Sequence, residues 1–288
     1  MVKKVGMVVK ASNPDAVKFG CELAGWIKDK GGEVYIAPGL ASRIKPSMAL
    51  DPEEFAGSID VMLVIGGDGT MLYAARLVSG TKIPILGVNL GGLGFLTAVT
   101  VGEAHRLLER IIKDDYKVEE RMMLAVEVER AGKVISAHEV LNDAVIKGTS
   151  ARLIRVEARI NREYVNTYRA DGLIVATPTG STAYSLSAQG PILYPTIHSI
   201  IVAPICPFNL TNRPVVIPDW MTVEVTICPD QSGIDLVLDG QVDVKLECGD
   251  IIKIKRAKTS IDLIRYEGKS YFDILRERLM WEVKVDRK

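Results

Sequence analysis

The run Gly66-Gly67-Asp68-Gly69-Thr70 directly follows an apolar segment, Val61-Met62-Leu63-Val64-Ile65, and directly precedes a helical pattern from about Thr70 to Val78. That position is the carboxyl edge of an α/β sheet, where such folds bind ligands. Glycines let backbone amides approach an anion closely, and a helix N-terminus adds positive potential. Asp68 then places a carboxylate beside the anion site. It could take or orient a hydroxyl proton during phosphoryl transfer, or help hold Mg²⁺. A second reading is a tight strand-to-helix turn in which Asp68 caps the helix. The residues alone leave both open.

A second concentration of polar chemistry is Asp171-Gly172-Leu173-Ile174-Val175-Ala176-Thr177-Pro178-Thr179-Gly180-Ser181-Thr182-Ala183-Tyr184-Ser185-Leu186-Ser187. A strand runs into a turn of hydroxyl residues, Pro and Gly, then into a short helix. Such a turn offers many small donors and acceptors, with Tyr184 as an aromatic surface for a planar ring. The plainer reading is a hydroxyl-rich cap with Tyr184 in the core. Other nucleotide and metal motifs fail. The first domain has no G-x-G-x-x-G; Gly268-Lys269-Ser270 lacks the first glycine of a Walker loop, because Leu263 stands there; and His138-Glu139 is followed by Asn142 where a zincin has its second histidine.

The elements that must position these runs fall into two textures. Up to about residue 118, apolar runs (Val5 to Val9, Val61 to Ile65, Ile83 to Val88) and a strand at Glu33 to Ala37 alternate with helical patterns at Asp15 to Lys30, Thr70 to Val78 and Gly102 to Lys113. Strands apolar on both faces, alternating with helices, predict an α/β domain with a parallel sheet. From Glu119 the pattern changes to period two, at Met122 to Arg130, Leu153 to Ile160 and Thr222 to Ile227, which predicts a mainly antiparallel β domain. The expected division is 1–118, joined by about 262–288, and 119–261. A C-terminal amphipathic helix over Tyr271 to Trp281, with Phe272, Leu275, Leu279 and Met280 apolar, is expected to pack back on the first domain.

Composition removes several classes. The 288 residues are 48% apolar and 25% charged, with a formal net charge of zero, so no bulk positive field favours nucleic acid. No apolar stretch reaches the roughly 18 residues of a membrane span, and the N-terminus lacks a signal-peptide pattern, so a cytoplasmic address is expected. Cys21, Cys206, Cys228 and Cys248 have no zinc or disulfide spacing and read as reduced, mostly buried thiols.

The two chemical runs, together with Leu141-Asn142-Asp143 and Asn89-Leu90-Gly91-Gly92-Leu93-Gly94-Phe95-Leu96-Thr97, resemble the NAD kinase family in order and separation across nearly the whole chain. G-G-D-G-T alone is shared with lipid kinases, and phosphofructokinases have a related loop; T-P-T-G-S-T-A-Y beside it is specific. The resemblance implies Mg²⁺-dependent transfer of a phosphoryl group from ATP, or from inorganic polyphosphate, to the 2′-hydroxyl of the adenosine ribose of NAD, giving NADP. It implies Asp68 as the catalytic carboxylate, with Gly67, Gly69 and Thr70 in the loop and Phe95 as an apolar wall. Asn142, Asp143, Asp171, Thr179, Thr182, Ala183, Tyr184 and Ser187 match dinucleotide contacts, and Arg152, Arg169 and Gln241 match further ones. A dimer or tetramer is usual for the family. Three departures are visible: Asp143 where Glu is usual, Gln189-Gly190-Pro191 for G-G-P, and Phe208 where His is common.

Overall fold

The computed structural model describes residues 2–281 apart from 93, 98, 151, 230, 231 and 266. The chain divides into two compact units, Met1–Glu120 with Ile261–Lys288, and Arg121–Ser260. In chain order the first unit contains β1 (Lys4–Val9), α1 (Pro14–Asp29), β2 (Glu33–Ile36), α2 (Pro38–Ala41), β3 (Met48–Ala49), α3 (Phe55–Ser58), β4 (Val61–Ile65), α4 (Asp68–Leu77), β5 (Ile85–Asn89), β6 (Val99–Thr100) and α5 (Val101–Ile112). Its strands pair in the order β5-β4-β1-β2-β3, with β6 also beside β5, and every pairing is parallel.

Why these residues form these elements is plain at α1. Asn13 accepts N–H bonds from Asp15 and Ala16, Pro14 sets the first helical φ, and Gly31 follows at φ 81°. Ala16, Phe19, Leu23, Ala24 and Ile27 form the buried stripe, at helical spacing. The sheet they cover is apolar on both faces; β4 is buried along its whole length. That burial fixes where β4 and β5 end, and so where the loops after them begin.

The second unit contains β7 (Val118–Arg130), whose first residues lie in the first unit, β8 (Lys133–Val140), β9 (Asp143–Gly148), β10 (Ile154–Ile160), β11 (Glu163–Ala170), β12 (Gly172–Ala176), α6 (Tyr184–Ser187), β13 (Ser199–Ile205), β14 (Val215–Pro218), β15 (Val223–Ile227), β16 (Ile234–Leu238), β17 (Val242–Leu246) and most of β18 (Ile251–Ile264). One sheet runs β14-β13-β12-β9-β16-β17, all antiparallel. A second antiparallel set runs β11-β10-β15-β18. Their facing side chains share one core, including Ile146, Val175 and Leu236 from the first set and Val156, Val225 and Ile252 from the second.

The half-exposed alternation expected for this unit holds in β10 and β15. It fails in the middle of the six-stranded sheet. Leu173 and Val175 face the shared core while Ile174 and Ala176 join a second cluster on the opposite face, so β12 is buried on both sides. The C-terminal helix also differs from expectation. The helix α7 (Tyr271–Leu279) is in the first unit and buries Ile274 and Leu275, but Phe272 and Met280, assigned to its apolar face, are exposed. The cysteines correct another expectation: all four are free, but Cys206 and Cys248 are exposed, Cys21 is half-buried and only Cys228 is buried.

Gln189 ends α6 in the left-handed region at φ 64°, its N–H donating to Leu186 O at 3.0 Å. A residue with a Cβ is strained there, by roughly 1–2 kcal/mol, against about 0.5–1 kcal/mol of extra chain entropy for glycine. Gln189→Gly is therefore expected to raise the unfolding free energy by about 0.5–1 kcal/mol in a denaturant titration. A lowered midpoint at unchanged slope contradicts the strain.

Candidate functional site

Asp68 is the first residue of α4, whose N-cap is Gly67, and no side chain caps that helix. The capping reading is thereby set aside. The carboxylate instead reaches the loop after the neighbouring strand β5: Oδ2 accepts the N–H of Phe95 at 3.0 Å, and Oδ1 accepts the N–H of Leu96 at 3.0 Å. Thr97 Oγ1 lies 3.3 Å from Oδ1. Leu93 of that loop lies outside the described residues. Gly94 is required here, since a Cβ on it would stand 2.2 Å from Thr97 Oγ1 and 2.3 Å from Asp68 Oδ1. Gly66 is required as well, by Thr70 Oγ1 at 2.5 Å. Gly67 and Gly69 are not, for among the described residues a Cβ on either meets no atom within 4 Å beyond its own chain neighbours and helix backbone. A ligand can approach the backbone at these two positions without meeting a Cβ. Phe95 is half-buried and carries the Arg278 guanidinium 5.6 Å from its ring centre.

In the second unit the hydroxyl turn is built on the chain just before β9. Thr177, fully buried, donates from Oγ1 to Leu141 O at 2.6 Å, and its N–H donates to Asn142 O at 2.9 Å. Gly180 sits so close that a Cβ would meet Asn142 O at 2.1 Å. Thr177 and Gly180 thus hold the turn, while Thr179 is buried, Thr182 and Ala183 half-buried, and Tyr184 and Ser187 exposed. Tyr184 is 45% exposed, which removes the reading that placed it in the core.

A cavity of about 260 Å³ opens beside this turn, lined by Asn142, Asp143, Val145, Lys147, Ala183, Tyr184, Val237, Asp239 and Gly240. It brings together four of the residues singled out in the sequence: Asn142, Asp143, Ala183 and Tyr184. Lys147 and Asp239 were missed. Asp239-Gly240 is the φ-positive pair (50° and 64°) turning β16 into β17, and an Asp-Gly hairpin signal could have marked it. Its carboxylate accepts three N–H groups, from Leu141 at 2.9 Å, Asn142 at 2.7 Å and Asp143 at 3.1 Å.

The remaining sequence-selected residues lie elsewhere than in the cavity lining. Asp171 is exposed, with its N–H on Ile205 O. Arg152 is exposed, and Arg169, also exposed, stacks 4.6 Å from the Phe208 ring centre, so the unusual Phe208 has an evident partner. Gln241 is exposed just past the Asp239 turn.

Asp143 is buried, and the half-buried Asp239 repels a charge on it. Burial, then repulsion from Asp239, push the Asp143 carboxyl up from its ordinary 3.8 to about 7, opposed only by the Tyr184 N–H. Between pH 4 and 7 the folded protein therefore carries a proton that the unfolded chain has lost, and stability falls as pH rises through that window.

Solved structures with the same fold include a yeast NADH kinase complexed with NADH, at a TM-score of 0.91 and 24% identity, covering 100% of this chain and 90% of that one. An NAD kinase from Archaeoglobus fulgidus in complex with ATP has a TM-score of 0.72 at 26% identity, covering 98% and 97%. Residues 5–116 match the ATP-NAD kinase N-terminal domain and residues 141–266 the ATP-NAD kinase C-terminal domain. An NAD kinase of Geobacter sp. (strain M21) is 45% identical over 286 residues, covering 97% of this chain and 99% of its own, and one of Geobacter sulfurreducens is 43% identical over 281. The chain belongs to the NAD kinase family.

Asp143→Asn removes the titrating group, so its stability relative to the parent protein is expected to improve by roughly 2–3 kcal/mol between pH 5 and pH 8, at about 1.4 kcal/mol per pH unit below 7. Parallel denaturation curves at the two pH values, with a constant difference between the proteins, contradict a raised Asp143 carboxyl held by its own burial and the charge of Asp239.

Proposed function

We propose that the protein transfers the terminal phosphoryl group of ATP to the 2′-hydroxyl of the adenosine ribose of NAD, giving NADP. The observation that carries the reading is the Asp68 carboxylate, pinned by backbone N–H groups at the carboxyl edge of a parallel sheet rather than used as a helix cap. Membership of the NAD kinase family supplies the reaction, and the two unobstructed glycines beside Asp68 suit a phosphate chain. In this reading Asp68 receives the ribose hydroxyl and orients or deprotonates it. A ribose hydroxyl is a poor nucleophile at neutral pH, so positioning does most of the work, with general-base help of about 10²- to 10⁴-fold.

Gly67, Gly69 and Thr70 would lie along the donor phosphates, and Phe95 would wall the reacting ribose. Asn142, Asp143, Ala183 and Tyr184 would hold the dinucleotide, with Tyr184 offering its exposed ring face to a base. Asp171, Thr179, Thr182, Ser187, Arg152, Arg169 and Gln241 are proposed as further substrate contacts. Among the described residues no group of three or more His, Cys, Asp or Glu gathers as a metal cage. That donor set fits Mg²⁺ carried by the nucleotide phosphates with at most one carboxylate, Asp68, where the ion would neutralise phosphate charge.

Two coarser expectations extend the proposal. No helix among the described residues is long and apolar enough to cross a membrane. The exposed thiols of Cys206 and Cys248 suit the reducing cytoplasm as the working address. The edge strand β14 leaves Val215 and Val216 exposed, with Leu210 and Trp220 exposed beside it, and we assign self-association of the chain to this edge.

Asp68→Asn keeps one accepting oxygen and turns the other into a donor facing a backbone N–H, at a cost of about 1–3 kcal/mol in stability. Turnover of NAD with ATP and Mg²⁺ is expected to fall at least about 10²-fold, with the KM for NAD changed far less. A folded Asp68→Asn protein that makes NADP at the parental rate contradicts the assignment, as does parental protein that phosphorylates diacylglycerol or fructose 6-phosphate but not NAD.

A further inference from the structure

Behind Asp68 lies a chain of polar groups whose direction can be worked out atom by atom. The N–H of Gly91 donates to Asn89 Oδ1 at 3.0 Å, which fixes the orientation of that amide. Asn89 Nδ2 must then face the other way, and it donates to Thr97 Oγ1 at 2.8 Å. A threonine hydroxyl has one proton. With its oxygen already accepting from Asn89, that proton is left to point at Asp68 Oδ1, 3.3 Å away. Thr97 is fully buried, and its methyl lies where a Cβ on Gly87 would approach to 3.0 Å, so the rotamer that aims the hydroxyl at Asp68 is held by packing.

The two oxygens of Asp68 are thereby made unequal. Among the described residues, Oδ1 accepts both the Leu96 N–H and the Thr97 hydroxyl, while Oδ2 accepts the Phe95 N–H alone. Each carboxylate oxygen can accept about two hydrogen bonds, so Oδ1 is filled and Oδ2 keeps a site for an incoming proton donor.

We infer that Asn89 and Thr97 are positioning residues that anchor Oδ1 of Asp68 and leave Oδ2 as the oxygen that meets the substrate hydroxyl. The inference rests on the catalytic reading of Asp68 and adds to it a named atom and two residues that touch no substrate. It requires a hydroxyl at position 97, not merely a side chain of that shape, and an amide donor at position 89. Thr97→Val keeps the shape and removes the donor. Thr97→Ser keeps the donor and removes the methyl. Asn89→Asp turns the donor into a second acceptor, which would draw the Thr97 proton away from Asp68.

The experiment is steady-state NAD phosphorylation with ATP and Mg²⁺ by the parent, Thr97→Val, Thr97→Ser, Asn89→Asp and Asp68→Asn proteins. For Thr97→Val and Asn89→Asp the expected result is a kcat lowered about 10-fold or more with the KM for NAD within about 3-fold, and for Thr97→Ser a kcat within about 3-fold of the parent. Parental kcat in Thr97→Val while Asp68→Asn is inactive overturns the inference and leaves the role of Asp68 standing. Parental kcat in Asp68→Asn overturns that role itself. Thr97→Ser as slow as Thr97→Val assigns the effect to packing and also overturns the inference. Should Thr97→Val fail to fold, Asn89→Asp decides alone, and parental kcat there is the contrary result.

Discussion

The Asp68 carboxylate ties together two loops that leave adjacent strands of a parallel sheet, β4 and β5, and much of the first unit serves that tie. Backbone N–H groups of Phe95 and Leu96 meet this carboxylate from the loop after β5, and the two strands end at the same level. The in-register pairing of Ile65 with Val88, and the apolar burial of β4 on both faces, set that level. Gly66 and Gly94 then remove the Cβ atoms that would hold the two loops apart. A charged group so constrained keeps its place without capping the helix it begins, and it remains only half-buried, open to a partner from outside.

The second unit uses the same device for a different end. Asp239 gathers three N–H groups from Leu141, Asn142 and Asp143, and this fixes the backbone to which Thr177 and Gly180 fasten the hydroxyl turn. The consequence is a cavity with one acid spent on the scaffold and another, Asp143, left protonated up to about pH 7. A neutral carboxyl can donate as well as accept, which widens the set of ligand atoms it can meet. Lys147 adds a positive charge to the same lining.

How much of this the sequence discloses depends on distance along the chain. Asn13-Pro14 and the apolar stripe of α1 act within a few residues, and the sequence pattern reads them directly. The glycine loop and the hydroxyl turn were visible for the same reason. The partners of Asp68 lie 27 to 29 residues away and those of Asp239 96 to 98, and such bonds leave no periodic trace. The capping reading of Asp68 was therefore reasonable locally and wrong in three dimensions. Phe272 and Met280 show the converse limit: apolar residues near helical spacing need not share one buried face, and in α7 only Ile274 and Leu275 are covered. The exposed Cys206 and Cys248 make the same point for a residue type that is usually inside.

The most direct measurement is the distance from the ribose 2′-oxygen to each oxygen of Asp68, in a crystal structure of this protein with NAD and a non-hydrolysable ATP analogue. The expected value is about 2.6–3.2 Å to Oδ2, with Oδ1 still held by Leu96 and Thr97. A 2′-oxygen beyond hydrogen-bond reach of both oxygens, with NAD otherwise ordered and the phosphate analogue in place, is the result that contradicts a carboxylate acting on the hydroxyl.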